Sequence, residues 1–360
     1  MVIWLNAGNL QFTNVLTMKK MFGILRPAPG LSPAGEDVMR YDYAAAGFHT
    51  FDCLGWPFDT VPAGGGTHLI QDLTMAVSGA AGTAVIVAAK LGLRSQAIGG
   101  LGQDMMGDWV QTRLQGFGID TSAMQRLAGV PTSSSIVLTR ADGSRPALHL
   151  KGATGAYVVP ESDYDSVTDA RVFHLGGVGL MDAMDGAPNA ALMRHAKARG
   201  CITTVDVFAG SADDLPDVEA VLPWTDYFIP SVEEAQALSG LTDLAQMAQF
   251  FLDRGAQCCV FTLGAEGAYY HHRDGTIFTV PAFDIDVICT CGCGDVFNAG
   301  FAVGLLQGMT PRDCVRLAQA CSALNATGLG SQAGVTTLPA ALEFMNTRAV
   351  RPSGKLARSA

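Results

Sequence analysis

The sequence predicts an α/β fold in which helices cover a mostly parallel central sheet and a small β-lid closes over one end of it. From Tyr41 onward, short apolar runs alternate with longer segments of helical period. This alternation is typical of parallel strands joined by crossover helices. Two stretches break it, because each has the pattern of a β-hairpin. The predicted central strands are 43–49, 95–98, 172–175, 202–207, 226–229 and 259–262.

The first of these hairpins supplies the predicted lid. It joins 135–140 to 147–151 across the turn Ala141-Asp-Gly-Ser, a turn sequence that favours hairpins. Together with the preceding stretch it gives expected lid segments at about 53–77 and 130–152. Lids exclude water, and enzymes that transfer phosphate from ATP need that protection from hydrolysis.

The second hairpin and a helix lie in the C-terminal half. The hairpin joins 268–272 to 276–280 and turns at Asp274-Gly275. A helix is predicted from Pro311 to about Thr327, because Thr310 suits the N-cap and proline suits the first helical position. These elements continue the α/β pattern towards the C-terminus.

Length and composition predict one large domain with small appendages. The chain has 360 residues, of which 49% are hydrophobic and 16% are charged. Such a composition is that of a globular chain with a sizeable core. We expect the domain at 41–345, with an extension of unknown role at 1–40 and a tail at 346–360.

Charge and hydropathy argue against two classes of partner. The formal net charge is −10, whereas binding to nucleic acid depends on Lys and Arg that neutralise phosphates. No stretch approaches the roughly 20 apolar residues that cross a bilayer. The nine cysteines are irregularly spread, which favours reduced thiols over a disulfide framework. We therefore expect a soluble, cytoplasmic protein that binds neither nucleic acid nor membrane.

The segment 287–302 is a glycine-rich turn that runs directly into an amphipathic helix. The N–H groups of Gly292, Cys293 and Gly294 are expected to bind an anion, because the first N–H groups of a helix have no partner within it. Asp295 then stands where it could meet a substrate hydroxyl. Phosphoryl transfer needs alignment, charge neutralisation and a base near the nucleophile. An ordinary first-turn aspartate, favoured by the helix dipole, is the competing interpretation.

Two motifs in this order resemble the signatures of the PfkB, or ribokinase-like, carbohydrate kinase family. Residues 289–297 read Cys-Thr-Cys-Gly-Cys-Gly-Asp-Val-Phe, similar to the family's C-terminal signature Asp-Thr-Thr-Gly-Ala-Gly-Asp-Ala-Phe. Residues 78–92 and 98–107 resemble the N-terminal signature. The resemblance extends over about 41–339. It implies a ribokinase-like three-layer sandwich and an ATP-dependent sugar kinase.

The resemblance also implies roles for individual residues. Asp295 would be the catalytic base, beside an anion hole at Gly292, Cys293 and Gly294. Glu234, in a stretch similar to the family's Asn-x-x-Glu element, would help to place the Mg²⁺ that accompanies ATP. The substrate would contact Asp52, Gly79 and Thr83, and ATP would contact Thr262, Gly264, Gly267 and Gln319.

Three positions depart from the family pattern. Cys289 replaces the first aspartate of the C-terminal signature, a position associated with a monovalent-cation site. A neutral thiol is a poor ligand for a hard cation, so dependence on a monovalent cation stays open. Thr83 replaces the usual asparagine, which predicts a changed sugar preference. Ser231 replaces the Asn of Asn-x-x-Glu, which predicts a changed water shell around Mg²⁺.

A cluster of cysteines and an arginine in the lid hairpin each allow two interpretations. Cys289, Cys291 and Cys293 are closely spaced, but no second pair of ligands with zinc-finger spacing accompanies them. Packing of small apolar thiols in the turn is favoured over a zinc site. Arg145 follows the lid hairpin turn, and we expect it in solvent rather than at an anionic substrate.

The sequence allows alternatives for the function and suggests an oligomeric state. A nucleoside kinase of the same fold would need an apolar or aromatic lid surface to stack a base. A non-catalytic sensor of sugar or nucleotide is suggested by the changes at Cys289, Thr83 and Ser231, and the presence of Asp295 argues against it. Analogy with the family also suggests a homodimer formed through the lid.

Overall fold

The computed structural model describes residues 39–58, 60 and 62–352. A nine-stranded sheet lies at its centre, and its neighbouring strands are parallel except for the two antiparallel pairs at one edge. In spatial order the strands are β13 (Ile277–Val280), β12 (Ala268–His272), β11 (Cys258–Thr262), β10 (Tyr227–Phe228), β9 (Ile202–Val207), β8 (Ala170–Val178), β1 (Tyr41–Gly47), β4 (Ser95–Gly102) and β5 (Asp120–Leu127).

Helices cover both faces of this sheet. One core cluster joins the sheet to α4 and α7 through Met193 and Phe251, and a second joins it to α1 and α8 through Val85 and Val296. Strands buried on both faces read as continuous apolar runs, and β1 shows this because Tyr43 to Ala46 are fully buried. The helices are α1 (Ala80–Lys90), α2 (Met105–Gly116), α3 (Tyr164–Val167), α4 (Ala187–Ala198), α5 (Leu215–Val221), α6 (Val232–Ser239), α7 (Leu244–Asp253), α8 (Cys293–Leu306), α9 (Pro311–Ala326) and α10 (Leu338–Thr347).

A separate four-stranded sheet forms the β-lid. Its central pair, β2 and β6, is parallel, and both outer pairs are antiparallel. Its inner face has a small core in which Leu54 and Val137 pack with Cys289 and Cys291, which precede α8. This packing joins the lid to the start of α8. In spatial order the lid strands are β3 (Asp72–Ser78), β2 (Thr50–Trp56), β6 (Ser134–Leu138) and β7 (Ala147–Leu150).

The predicted α/β architecture with a β-lid is confirmed, and several element bounds are corrected. The strand predicted at 226–229 shortens to Tyr227–Phe228, whereas the predicted helix from Pro311 ends at Ala326, one residue early. The second hairpin extends the central sheet. The strand β5 was not predicted. No helix in the described part of the chain is long and apolar enough to cross a membrane.

The predicted domain boundaries fall partly outside the described residues, which begin at residue 39. At the C-terminal side, the boundary at 345 lies inside α10, so the proposed tail begins too early. The chain beyond α10 also bonds to the segment that follows β13, because the N–H of Arg351 donates to the carbonyl oxygen of Ala282 at 2.8 Å. Residues up to 351 therefore belong to the folded part.

Candidate active site

A cavity of about 400 Å³ lies between the lid and the carboxyl ends of the central strands. The lid lines it with Asp52 from β2 and Val137 from β6, and the central sheet lines it with Asp206 near the end of β9. Gly79, the N-cap of α1, and the turn before α8 complete the walls. Open α/β sheets bind their ligands at this edge, so the cavity lies where a substrate site is expected.

The turn at residues 290–294, here called the anion turn, is shaped to bind an anion. Gly292, its N-cap, has a positive φ of 70°, and a Cβ added there would lie 2.6 Å from the Cβ of Ser331. The Cys293 N–H donates to the carbonyl oxygen of Thr290 at 3.3 Å, which corrects the expectation of three free N–H groups. Among the described residues, no acceptor takes the N–H of Gly292 or Gly294. These two groups, at the positive end of the helix dipole, suit a phosphate oxygen.

Asp295 lies in the first turn of α8 and lines the cavity with a partly exposed side chain. Burial raises the pKa of its carboxyl. The guanidinium of Arg145 and the hydroxyl of Thr83 lower it, and the charge of Asp52 raises it, to about 6. A carboxyl with this pKa is mostly ionised at neutral pH and is still a useful proton acceptor.

Of the three predicted substrate residues, two line the cavity and one does not. Asp52 and Gly79 line the cavity, and the Thr50 hydroxyl donates to the Asp52 carboxylate at 3.3 Å. Burial raises the pKa of Asp52, and the hydroxyls of Ser135 and Ser78 lower it. Thr83 lies outside the lining. It is fully buried in α1, where its hydroxyl faces Asp295, so its effect on a ligand would act through that carboxylate.

Of the four predicted nucleotide residues, one lines the cavity and three do not. Thr262, at the end of β11, lines the cavity, whereas Gly264, Gly267 and Gln319 do not. Gly267 has a structural explanation, because a Cβ there would lie 1.9 Å from the carbonyl oxygen of Val280 in the adjoining strand. Gln319 is buried in α9. The cavity brings together Asp295, Gly292, Cys293, Gly294, Asp52, Gly79, Thr262 and Glu234.

Asp206 is a site residue that the sequence analysis missed. It lies in β9, a strand that was predicted with its observed bounds, and it lines the cavity while only 6% exposed. Burial and then the charges of Glu234 and Asp295 raise the pKa of Asp206 well above its usual range. A carboxylate at the carboxyl end of a predicted central strand is the signal that could have found it.

Glu234 lies in the first turn of α6, on the same wall of the cavity. Its carboxylate accepts from the N–H and the hydroxyl of Ser231 at 2.9 and 2.7 Å, and the Ser231 hydroxyl accepts from the Glu234 N–H. This capping box gives Ser231 a defined role, the N-cap of the helix. Burial raises the pKa of Glu234, and the charge of Asp295 adds to that effect.

Asp206 and Glu234 fit a magnesium ion that arrives with ATP. Their negative charges repel each other across a buried wall, and a divalent cation would relieve that repulsion. Mg²⁺ usually takes one or two carboxylates and completes its shell with water and phosphate oxygens. Within the described residues, no group of three or more His, Cys, Asp or Glu could hold a metal by itself. The ion would therefore depend on the nucleotide.

The surroundings of Cys289 do not fit a monovalent cation. The Cys289 side chain is buried, and its sulfur accepts the N–H of Cys291 at 3.4 Å. Hydrogen bonds from the thiol and the N–H of Cys291 lower the pKa of Cys289 to about 5, so its sulfur is a soft thiolate at neutral pH. The carbonyl oxygen of Cys291 accepts the side-chain amide of Asn325 at 2.7 Å. A soft sulfur and an occupied carbonyl are a poor donor set for a hard cation. All nine cysteines are free thiols.

Arg145 is exposed, as expected, and it also lines the cavity. The Thr290 hydroxyl donates to the carbonyl oxygen of Gly143 at 3.3 Å and so holds the lid hairpin over the anion turn. Among the described residues, Arg145 makes no hydrogen bond or ion pair with a side chain, although its charge lowers the pKa of both Asp52 and Asp295. Its guanidinium is therefore available to an anion in the cavity.

Aromatic side chains line the cavity beside the lid. The rings of Phe48 and His149 lie 5.2 Å apart edge to face, and those of Phe48 and Phe208 lie 6.3 Å apart. Phe208 remains 53% exposed. Exposed rings in a cavity wall offer a face to a sugar or base ring.

A carboxylate beside an anion-binding helix start, in a lidded cavity of an α/β sheet, defines a site suited to phosphoryl transfer. The family described as pfkB family carbohydrate kinase matches residues 57–338. The chain belongs to this family, whose members are ATP-dependent phosphotransferases. The predicted family resemblance is confirmed.

Individual relatives are similar over most of their length. A ribokinase of Haemophilus influenzae is 26% identical over 298 residues, covering 80% of this chain and 93% of that protein. The structure of Arabidopsis thaliana ribokinase complexed with ribose and ATP matches with a TM-score of 0.71 and 20% identity over 86% of this chain and 99% of that one. An E. coli structure described as a candidate ribokinase II, in complex with ATP and Mg²⁺, matches with a TM-score of 0.73 and 22% identity over 84% and 98%. These likenesses confirm the ribokinase-like fold.

Proposed function

We propose that the protein transfers the γ-phosphate of ATP to a hydroxyl group of a sugar or sugar derivative. The observation that carries this proposal is the position of Asp295, within the cavity and beside the free N–H groups of Gly292 and Gly294. Phosphoryl transfer requires just such a combination of a proton acceptor and a charge-stabilising cradle.

In this reaction Asp295 takes the proton of the attacking hydroxyl. Its pKa of about 6 keeps the carboxylate ionised at neutral pH, and the charge of Arg145 supports that ionised form. The N–H groups of Gly292 and Gly294 hold the negative charge that develops on the transferring phosphoryl group. The Cys293 backbone keeps the turn in shape through its bond to Thr290.

Asp206 and Glu234 would hold Mg²⁺ on the nucleotide side of the cavity. The ion, when bound with ATP, neutralises phosphate charge. The two carboxylates orient it, and the Ser231 capping box fixes the direction from which Glu234 approaches. Thr262 lies on the same wall and is the predicted ATP contact that the cavity retains. Gly264, Gly267 and Gln319 lie outside the cavity lining and stay predicted ATP contacts.

The substrate side is polar at its base and aromatic at its rim. Asp52 accepts hydrogen bonds, as expected for the partner of a polyol, and Gly79 lines the same side of the cavity. The exposed face of Phe208 beside Phe48 favours a second candidate, a nucleoside whose base stacks there. A sugar with an acidic group would instead engage Arg145.

The lid also supports the proposal of a homodimer. On its outer face Cys53 pairs across the sheet with Met75 and Ile136, and Ile136 pairs with Leu148. Three of these side chains are more than half exposed, at 54% for Met75, 54% for Ile136 and 67% for Leu148. A contiguous apolar sheet face of this kind marks an interaction surface, and a second copy of the lid would match it in shape and chemistry.

A panel of neutral sugars, sugar acids, sugar phosphates and nucleosides with ATP and Mg²⁺ tests the function, with ADP release as the readout. We expect turnover of at least one sugar and a loss of about 10²- to 10⁴-fold in kcat for Asp295→Asn. Asp253→Asn, at the exposed end of α7, is the matched control and should behave as wild type. Unchanged turnover in Asp295→Asn would refute the assigned base. Binding without turnover anywhere on the panel would favour the sensor.

A further inference from the structure

A buried side chain, Asn325, forms a hydrogen bond with the backbone of the anion turn. Asn325 lies in the last turn of α9 and has no exposed surface. Its amide nitrogen Nδ2 donates to the carbonyl oxygen of Cys291 at 2.7 Å and lies 3.5 Å from the sulfur of Cys293. Its oxygen Oδ1 accepts the N–H of Ala333 at 3.2 Å. One amide thus joins the anion turn to the loop that follows α9.

The carbonyl oxygen of Cys291 is a potential ligand for a cation at the anion turn, and it already accepts a hydrogen bond from Asn325. Both backbone groups of Cys291 have protein partners, because its N–H donates to the Cys289 sulfur and its carbonyl accepts from Asn325. A monovalent cation needs several oxygen ligands, and here it would meet the N–H groups of the Asn325 amide and the soft sulfur of Cys289 instead. The amide N–H presents partial positive charge to the Cys291 carbonyl oxygen, which is the charge that a cation would otherwise supply.

We propose that Asn325 is a positioning residue that holds the anion turn in place of a monovalent cation, so that the enzyme works without one. The inference rests on the proposed kinase function for its kinetic consequences. Its structural part, a turn whose Cys291 carbonyl oxygen is bonded by an amide, stands on the contacts of Asn325 alone. Asn325 touches the Cys291 carbonyl and not the substrate, so its effect passes through the geometry of Gly292 and Gly294.

The first test compares cations on the wild-type enzyme. Initial rates are measured in tetramethylammonium chloride and then with K⁺ or Cs⁺ at the same ionic strength. We expect the rates with K⁺ and with Cs⁺ to equal the rate in tetramethylammonium chloride. A rise of about tenfold or more with K⁺, which corresponds to about 1.4 kcal/mol in the barrier, would overturn the proposal.

A second test does not depend on activity. Crystals of the full chain are soaked in Rb⁺, and anomalous scattering is inspected around the Cys291 carbonyl oxygen and the Cys289 sulfur. We expect no Rb⁺ peak there. A peak bound to that carbonyl overturns the proposal even if no kinase substrate is found, so failure of the proposed function and failure of this inference are separable.

The third test removes the amide. Asn325→Ala should lower kcat by about 10- to 100-fold, because a loosened turn misplaces the charge-stabilising N–H groups, while KM for the sugar changes little. Asn189→Ala is the matched control, since Asn189 is equally buried but lies in α4, outside the cavity lining. Equal kcat values in the two variants would contradict the proposal.

Asn325→Asp separates positioning from folding, because it keeps the side-chain shape and replaces the donor with a carboxylate. Its oxygens and the Cys291 carbonyl then form a harder donor set. We expect a low kcat that K⁺ raises, with a circular dichroism spectrum like that of wild type. A variant that is folded, fully active and indifferent to K⁺ would show that the amide does not position the turn.

Discussion

The two sides of the cavity are built in different ways. The anion turn is fixed by buried contacts, since Ser331 packs against Gly292 and also shares a hydrogen bond of 2.6 Å with Ser78 at the end of β3. The lid hairpin opposite it is exposed along β7, and its Arg145 makes no hydrogen bond or ion pair with another described side chain. The rigid side suits chemistry that all members of a kinase family share. The open side suits the choice of substrate.

The two sides meet where Leu54 and Val137 of the lid pack against Cys289 and Cys291. They also share the hydrogen bond between Thr290 and Gly143. This contact places the charge of Arg145 near Asp295, so the lid influences the ionisation of the base as well as the shape of the cavity. Substitutions on the rigid side should therefore lower kcat. Substitutions on the lid should change substrate affinity and pH dependence.

The largest effect among these is expected at Asp206, on the rigid side. Asp206→Asn should lower kcat/KM by about 10- to 100-fold and raise the Mg²⁺ concentration needed for half-maximal rate, because one carboxylate near the ion is lost. Since the pKa of Asp206 is raised, Mg²⁺-ATP binding to wild type should release a proton. Calorimetry in buffers of different ionisation enthalpy measures that release.

The neighbouring Asp213 provides the control for this substitution. It is exposed, follows the same strand, and its carboxylate lies outside the cavity lining. Asp213→Asn should keep the proton release and the Mg²⁺ requirement of wild type. Proton release that persists in Asp206→Asn would show that another group titrates when the nucleotide binds.

The next effect is expected at Arg145, on the lid. The Asp295 carboxyl must lose its proton to act, so kcat/KM should fall as pH drops through about 6. Arg145 stabilises the ionised carboxylate, and Arg145→Gln should raise that pKa. The acidic limb of the pH profile should then move to higher pH, with a rate loss of about fivefold at pH 6 for a pKa rise of one unit and about tenfold well below pH 6.

Arg140→Gln removes the same charge from the same hairpin but lies outside the cavity lining. Its pH profile should match that of wild type. If Arg145→Gln leaves the limb in place but raises KM only for sugar acids or sugar phosphates, the guanidinium contacts the substrate rather than the base.

The sequence predicted the rigid side better than the lid, for a physical reason. The turn at Gly292 to Asp295 and the helix at Pro311 follow from local patterns of glycine, caps and apolar spacing. The engagement of the Cys293 N–H and the position of Thr83 beneath Asp295 depend on tertiary contacts, which no local pattern reports. Asp206 was recoverable, because its strand was predicted and its position at the carboxyl end was visible.

The lid illustrates the same limit. Its hairpin was predicted from the turn at Ala141, but the pairing of β2 with β6 joins segments about 80 residues apart in sequence. Solvent was the favoured place for Arg145, because a turn residue is usually exposed; Arg145 is exposed, but the sequence did not show that it also lines the cavity. The Thr290 contact that turns the hairpin inward lies about 150 residues away and has no signature near Arg145.

A smaller effect is expected at Phe208, which distinguishes the two substrate candidates. Phe208→Ala should raise KM by about 2- to 10-fold, as expected for loss of a stacking face, with kcat nearly unchanged. Phe208→Tyr keeps the ring and should keep the KM. A nucleoside should lose more affinity than a sugar, because its base offers the larger face. Equal losses for both would remove the case for a nucleoside.

The smallest effect on catalysis is expected from the outer face of the lid. Ile136→Lys places a charge in the middle of the apolar surface formed with Met75 and Leu148, so it should convert a dimer to a monomer in sedimentation equilibrium. Leu69→Lys adds the same charge at a position that is 88% exposed and outside the lid strands, and it should leave the dimer intact. Because the side chain of Ile136 points away from the cavity, kcat per protomer should change little. A wild-type protein that sediments as a monomer would refute the lid dimer while leaving the proposed chemistry untouched, since every group assigned to catalysis comes from one chain.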